Sequence, residues 1–268
     1  MLCQRRALLS GERREILLMQ DAASYPVQFD IRQQESLNRI LNFPLFIGTS
    51  IKALLLIPHF LIISLLSIAL AVLWIVGPFG ILFTGNYPGG LFNINVGANR
   101  WISRVYAYYY STIDQYPRFS LDEQQDDESR LRVDYPESLS RLLNFPIIGT
   151  MVKAILVIPQ LVILVIAALG VLLLVFVGQF VILFSGQLPV TFHGFIAAYL
   201  RLMYQVSAWT FSLTDEYPPF FPSMTTYASP ERPERSLEPP GPPPAGPTGP
   251  AAAPPAEPPN AGPPPDSA

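Results

Sequence analysis

Two stretches of the chain, Ala53 to Asn99 and Ala154 to Leu200, contain no Asp, Glu, Lys or Arg. Each is 47 residues long, bracketed by Lys52 and Arg100 in one case and by Lys153 and Arg201 in the other. A membrane-spanning helix needs about 20 apolar residues in succession, so runs of this length predict membrane-embedded chain. Within them the aliphatic segments Ala53 to Phe83 and Ala154 to Phe184 would each extend about 46 Å as one helix. That exceeds the roughly 30 Å hydrocarbon layer, so a tilt, kink or break is expected. Pro58 and Pro159, and then Gly77-Pro78 and Gly178-Gln179, are the places for it.

A turn rich in Gly, Pro and Asn follows each aliphatic segment, at 85–90 and 186–189. A second helix is predicted over about 92–114 and 193–215. On it Arg100, Arg104 and Tyr108 recur every four residues, as do His193, Ala197, Arg201 and Gln205, which places each set on one helix face. The other faces are aromatic and aliphatic, so these helices read as amphipathic. Either they cross the membrane with the Arg face turned into a bundle, or they lie in the interface with that face in water. The turns carry no Lys or Arg, which by the positive-inside rule puts both turns on the far side and the block ends in the cytoplasm. This favours two hairpins, four spans and cytoplasmic termini in the inner (cytoplasmic) membrane; two spans with two interfacial helices is the competing count. Arg100, about nine residues into the returning helix, is the feature that four spans explain least well.

Slid against itself by about 101 residues, the chain is a tandem repeat. Leu41-Asn42-Phe43-Pro44 returns as Leu143-Asn144-Phe145-Pro146. Gly48, Lys52, Pro58, Gly77, Gly85, Arg100, Asp114 and Tyr116 return as Gly149, Lys153, Pro159, Gly178, Gly186, Arg201, Asp215 and Tyr217. Several of these motifs also carry a family resemblance: Ile57-Pro58-His59, the run Ile81-Leu82-Phe83-Thr84-Gly85, Tyr87-Pro88-Gly89-Gly90-Leu91-Phe92, Arg100-Trp101, and Thr214-Asp215-Glu216-Tyr217-Pro218-Pro219-Phe220. Over residues 25–120 and 131–222 the chain resembles the bacterial membrane-protein family known as domain of unknown function 4389. The resemblance implies an integral membrane protein and supplies no catalytic residues. The second copy departs from the pattern, with Gln160 in the place of His59 and Leu188-Pro189-Val190-Thr191 in the place of Tyr87-Pro88-Gly89-Gly90.

The expected class is therefore an all-α integral membrane protein of two tandem repeats, each a long kinked transmembrane helix and an amphipathic second helix. The expected divisions are an N-terminal extension (1–24), a first repeat (25–120), an acidic linker (121–134), a second repeat (135–222) and a Pro/Ala-rich tail (223–268). A start at Met19 stays open beside Met1. The linker, with Asp122, Glu123, Asp126, Asp127 and Glu128, is expected to be a mobile cytoplasmic connector, and the proline-dense tail a disordered spacer.

Composition narrows the function without naming it. A net charge of −3 with no basic stripe excludes a nucleic-acid partner, and a single cysteine excludes a disulfide framework or thiolate metal site. No phosphate loop, nucleophile elbow or paired-metal motif is present, so neither catalytic residues nor cofactor are assigned. The residues singled out for polar contacts are His59, Arg100, Arg104, Asp114, Arg201 and Asp215. Each Asp closes a helix whose dipole disfavours it and so calls for a cation, Arg39 or Arg141 in the case of Asp215. His59 and His193 fill different repeat positions and read as packed side chains rather than proton relays. Membrane lipids and a protein partner, or self-association through the helices, are expected. The leading functional reading is a non-enzymatic scaffold or accessory subunit of a membrane complex. A solute or ion transporter or channel component is the alternative, and a lipid-modifying enzyme comes third.

Overall fold

In a computed structural model, which describes residues 25–124 and 126–220, each repeat begins with one short strand and continues as three helices. The first contains β1 (Val27–Ile31), α1 (Ile47–Leu55), α2 (Ile57–Thr84) and α3 (Gly89–Tyr109). The second contains β2 (Ser129–Val133), α4 (Ile148–Leu156), α5 (Ile158–Ser185) and α6 (Val190–Thr210). The extension 1–24, the last two residues of the second repeat and the whole expected tail 223–268 lie outside the described residues.

The helix boundaries follow local chemistry. Pro58 has no N–H to give to the turn before it, and the aliphatic segment is interrupted at Leu56. Proline therefore opens the long helix α2 near its first position instead of bending its interior, and Pro159 does the same for α5. The helix runs on through the second expected weak point, Gly77-Pro78, to Thr84. Gly77 instead permits a close approach: a Cβ there would lie 2.7 Å from the Tyr87 hydroxyl, and one at Gly178 would lie 2.8 Å from Leu188 Cδ1. Both long helices end on a left-handed glycine, Gly85 (φ 80°) and Gly186 (φ 77°), and Pro88 or Pro189 leads into the next helix.

The expectation of an all-α chain is corrected by a two-stranded antiparallel sheet, in which Phe29 faces Leu131 at the central rung. The linker is corrected with it, because 129–133 is β2 rather than mobile connector. Both strands alternate apolar and polar positions, Val27, Phe29 and Ile31 against Ser129, Leu131 and Val133, and it is this inner set that is buried. A two-stranded sheet is marginal alone, and each strand here packs on a helix of the other repeat: β1 on α6, β2 on α3. The exchange continues beyond the strands. The Leu37 N–H donates to the Gly186 carbonyl (2.8 Å) and the Leu139 N–H to the Gly85 carbonyl (3.0 Å).

α3 and α6 form the antiparallel centre, with Tyr110 beside Tyr199 (ring centroids 6.2 Å) and the Ser207 hydroxyl 3.3 Å from Asn99 Oδ1. Their N-termini point in opposite directions, so the Gly85 and Gly186 turns lie at opposite ends of the pair, not together on one side as expected. Three faces of α3 are used. Arg100 and Arg104 meet β2 and the linker, Asn99 meets α6, and Leu91, Ala98 and Ile102 meet Leu66, Leu70 and Leu73 of α2. The second helix of each repeat is thus wrapped by protein rather than amphipathic against lipid or water. One apolar core joins both repeats, from Phe29 and Leu131 to Ile81, Ile182 and Tyr204.

Phe29 is fully buried at the shared rung against Tyr204 (ring centroids 5.1 Å). Phe29→Ala is expected to destabilise the protein by about 3–5 kcal/mol. Hydrogen exchange should report the loss in α3 and α6 alike, because the strand serves both repeats.

Candidate functional site

The least ordinary chemistry in the fold is a lysine ammonium buried at the base of each repeat. Lys52, on the last turn of α1, is 0% exposed, and Lys153, at the same place on α4, is 2% exposed. Their helices reach the supporting loop because residues 48 and 149 are glycine; a Cβ on Gly48 would stand 2.6 Å from the Phe43 nitrogen. Lys52 Nζ donates to Asn42 Oδ1 (2.7 Å), the Tyr108 carbonyl (3.0 Å) and the Ser111 hydroxyl (3.4 Å), and Asp114 Oδ1 lies at 3.6 Å. Lys153 repeats the set with Asn144 (2.6 Å), the Trp209 carbonyl (3.1 Å), Ser212 (3.1 Å) and Asp215 (3.9 Å).

The asparagine joins the two charges. Its oxygen accepts from lysine while its Nδ2 donates to the aspartate, at 2.9 Å in the first cluster and 2.7 Å in the second, which fixes the amide orientation. Ser111 and Ser212 hold left-handed backbone, φ 60° and 61°, where glycine would be unstrained. Serine bears that strain and in return supplies a hydroxyl to the ammonium, which glycine cannot. Burial lowers each lysine to about 8, against the opposing pull of its aspartate, so both remain charged at neutral pH. The ring of Tyr108 (4.8 Å) or Trp209 (5.3 Å) adds a cation–π face.

Arg100 and Arg201, poorly explained as groups within a span, clamp the central rung of the sheet from two sides. Arg100 Nε donates to the Leu131 carbonyl (3.2 Å), and Arg201 Nε donates to the Phe29 carbonyl (2.8 Å). Glu123 (3.7 Å) and Asp30 (2.9 Å) neutralise them. Arg104 is buried against Asp127 (3.2 Å) and the Ser120 and Asp122 carbonyls, while Gln205, one repeat on, reaches the Val27 carbonyl (3.3 Å). His59 shares no hydrogen bond with either group. Its Nδ1 accepts from the Trp101 indole (2.9 Å), and its ring stacks on Phe119 (centroids 4.0 Å).

The arrangement therefore gathers Arg100, Arg104 and Arg201 about the sheet and sends Asp114 and Asp215 to separate lysine clusters. Asp215 pairs with Lys153, and the expected partners Arg39 and Arg141 pack instead over the turn glycines Gly186 and Gly85. Reading the sequence missed Lys52, Lys153, Asn42 and Asn144 as site residues. The signal was present, because all of them recur in register with the aspartates.

His193 occupies the repeat position of Phe92, buried, with neither nitrogen hydrogen-bonded. Burial pushes it down to about 4, so it is neutral and acts as a packing residue. Among the described residues no group of three His, Cys, Asp or Glu side chains could hold a metal ion.

A family model described as a domain of unknown function matches residues 47–120 and 148–222, which together are more than half the chain. The chain belongs to the DUF4389 family. Each DUF4389 copy covers three helices and the closing loop with its aspartate, whereas β1 and β2 fall outside the matches. No curated protein and no solved structure matches the chain.

Lys52→Met leaves Asp114 without its cation and is expected to lower stability by about 3 kcal/mol. Adding Asp114→Leu should restore part of the loss, a coupling readable by denaturant titration of the two single variants and the double variant. The lysines also set a pH dependence. Between about 8 and the ordinary lysine value of 10.5 the unfolded chain binds protons that the folded chain has released, so stability rises with pH through that window. The rise should vanish in Lys52→Met/Lys153→Met. At the other site, His193→Phe removes an unsatisfied buried polar ring, and thermal unfolding should show the variant at least as stable as the parent.

Proposed function

We propose that the protein is a non-catalytic, membrane-embedded scaffold whose paired repeats hold a rigid polar layer at the bilayer. One observation carries the membrane part: in each of the two 28-residue helices an 18-residue stretch, of mean hydropathy 2.7 in α2 and 3.2 in α5, has only 17% of its residues buried within the fold. The core helix of a soluble protein would be mostly buried. The scaffold part is supported by the use of the charges. Lys52, Lys153, Arg100, Arg104 and Arg201 are all engaged by groups of the same chain that hold helix ends and strands in place.

A transporter component is the second reading, favoured by the antiparallel pairing of the repeats. The seam where a path between repeats would run is filled by Tyr106, Tyr110, Tyr199 and the buried Tyr204, which weighs toward a scaffold.

Alkaline carbonate washing is expected to leave the protein in the membrane pellet, and release into the supernatant would sink the membrane reading. After mild-detergent extraction, a scaffold should elute in a stoichiometric complex. Elution of the chain alone, with solute flux once reconstituted in liposomes, would instead establish transport.

A further inference from the structure

We propose that the protein is monotopic: α2 and α5 lie along a single leaflet instead of crossing it, with the sheet, the linker and both helix turns in water on one side. The inference rests on the membrane reading above and adds an orientation to it.

The first observation is the shape of the apolar surface. Eleven large apolar side chains of α2 and ten of α5 are exposed. The buried residues of α2 are His59, Leu70, Leu73, Gly77, Pro78 and Ile81, and all but Pro78 lie on one stripe. A second copy could cover one side of such a helix and would leave the others in water. A hydrocarbon phase covers all of them at once.

The second observation is the course of the polar layer. It follows α3 from end to end. Tyr135 and the Arg141 guanidinium sit at the Gly85 turn; Arg132 and Glu123 lie beside Arg100 at mid-helix; Arg104 with Asp127, then Arg118 with Asp126, stand toward the other end. α2 packs antiparallel along the same α3. An upright molecule would therefore hold charged side chains at every depth of the hydrocarbon, including its centre, where they are most unfavourable. Laid flat, the molecule keeps this layer in water while α2 and α5 sink into the leaflet.

The third observation is length. At 28 residues α2 and α5 each extend about 42 Å, longer than the roughly 30 Å core, and they run in opposite directions. A flat helix meets no such limit, and opposed directions are then equivalent. The usual polar face of an interfacial helix is replaced here by α3 and α6, which explains how helices apolar on every side can lie at a surface.

Single-cysteine variants on a Cys3→Ser background test the orientation. Asn86→Cys and Gln187→Cys mark the two turns, and Asp126→Cys marks the linker; all three positions are exposed. Sealed inside-out and right-side-out vesicles are treated with a membrane-impermeant maleimide. The monotopic arrangement labels all three in one vesicle orientation only. Labelling of Asn86→Cys and Gln187→Cys from opposite sides means that α2 and α5 cross the bilayer, and overturns the proposal. Labelling of both turns from the side opposite Asp126→Cys means two out-and-back hairpins, and overturns it equally. Release by alkaline carbonate overturns the membrane reading and this inference with it, whereas retention with two-sided labelling overturns the inference alone. The unmodified protein gives an independent check that needs no variant. Polarised infrared dichroism of oriented bilayers should show the helices parallel to the membrane plane, and helices along the normal would overturn the proposal.

Discussion

Everything in the fold leans on a strand that cannot be satisfied within its own repeat. β1 is covered on its apolar side chiefly by α6, and β2 by α3, so each repeat is completed by the other. The backbone at the crossing point is then held by charge: the Phe29 and Leu131 carbonyls, partners at one rung, accept from Arg201 and Arg100 respectively. A hydrogen bond from a charged donor is stronger than a neutral one, and here it reinforces a two-stranded ladder that would otherwise be marginal. The family matches stop short of both strands, so the recurring module is the helical part. The strands are what convert two such modules into one body.

The buried lysines do for the helices what the arginines do for the sheet. The last carbonyls of α3 and α6 have no i+4 partner inside the helix; the Tyr108 and Trp209 carbonyls accept from the Ser111 and Ser212 N–H groups (3.2 and 3.1 Å), and a cation there adds a second donor and meets the helix dipole. Lys52 accomplishes this from another helix, bonding the Tyr108 carbonyl while its charge is matched by Asp114 four residues beyond the Tyr110 cap. Asparagine bonds both charges of the pair and ties in a third segment of chain, since Asn42 belongs to the loop before α1. A buried ion pair is a weak source of net stability, because desolvation offsets most of the attraction. Its effect is selective: misplaced packing of α1 on α3 would strand an ammonium in apolar surroundings.

The long helices, their proline starts and glycine ends, and the duplication were legible because hydrophobic runs, proline, glycine and self-similarity are local signals, whereas Gly77-Pro78 and Gly178-Gln179 break neither helix. The strands were legible in principle. Val27-Gln28-Phe29-Asp30-Ile31 alternates cleanly, but five residues between a basic extension and a long apolar block are easily read as connector. What no local signal contains is the pairing across repeats. Arg100 is hard to place in a helix returning through lipid because its partner, the Leu131 carbonyl, belongs to a strand 31 positions on, which packs on α3 and pairs with β1. The exposed Arg39 and Arg141 suggest themselves as partners of Asp215 for a similar reason. Lys153 seemed only the border of an apolar run, although its recurrence with Asn144 and Asp215 was the better guide.

In the proposed arrangement the same exchange sets how the molecule meets a membrane. In an ordinary helical hairpin repeated in tandem, both turns face one way and the polar connector stays at an end. Here Leu37 holds the Gly186 turn and Leu139 holds the Gly85 turn, so the repeats are locked head to tail and the connector is drawn along the flank of α3. Polar chain is thereby spread over the whole length of the body, while the apolar surface of α2 and α5 is displaced to other faces. Segregation by face, not by end, is the arrangement of a body lying at an interface. It follows from closing each strand on the opposite repeat, so in the proposed arrangement the arginine clamp that secures the sheet also sets which side of the protein is left for lipid.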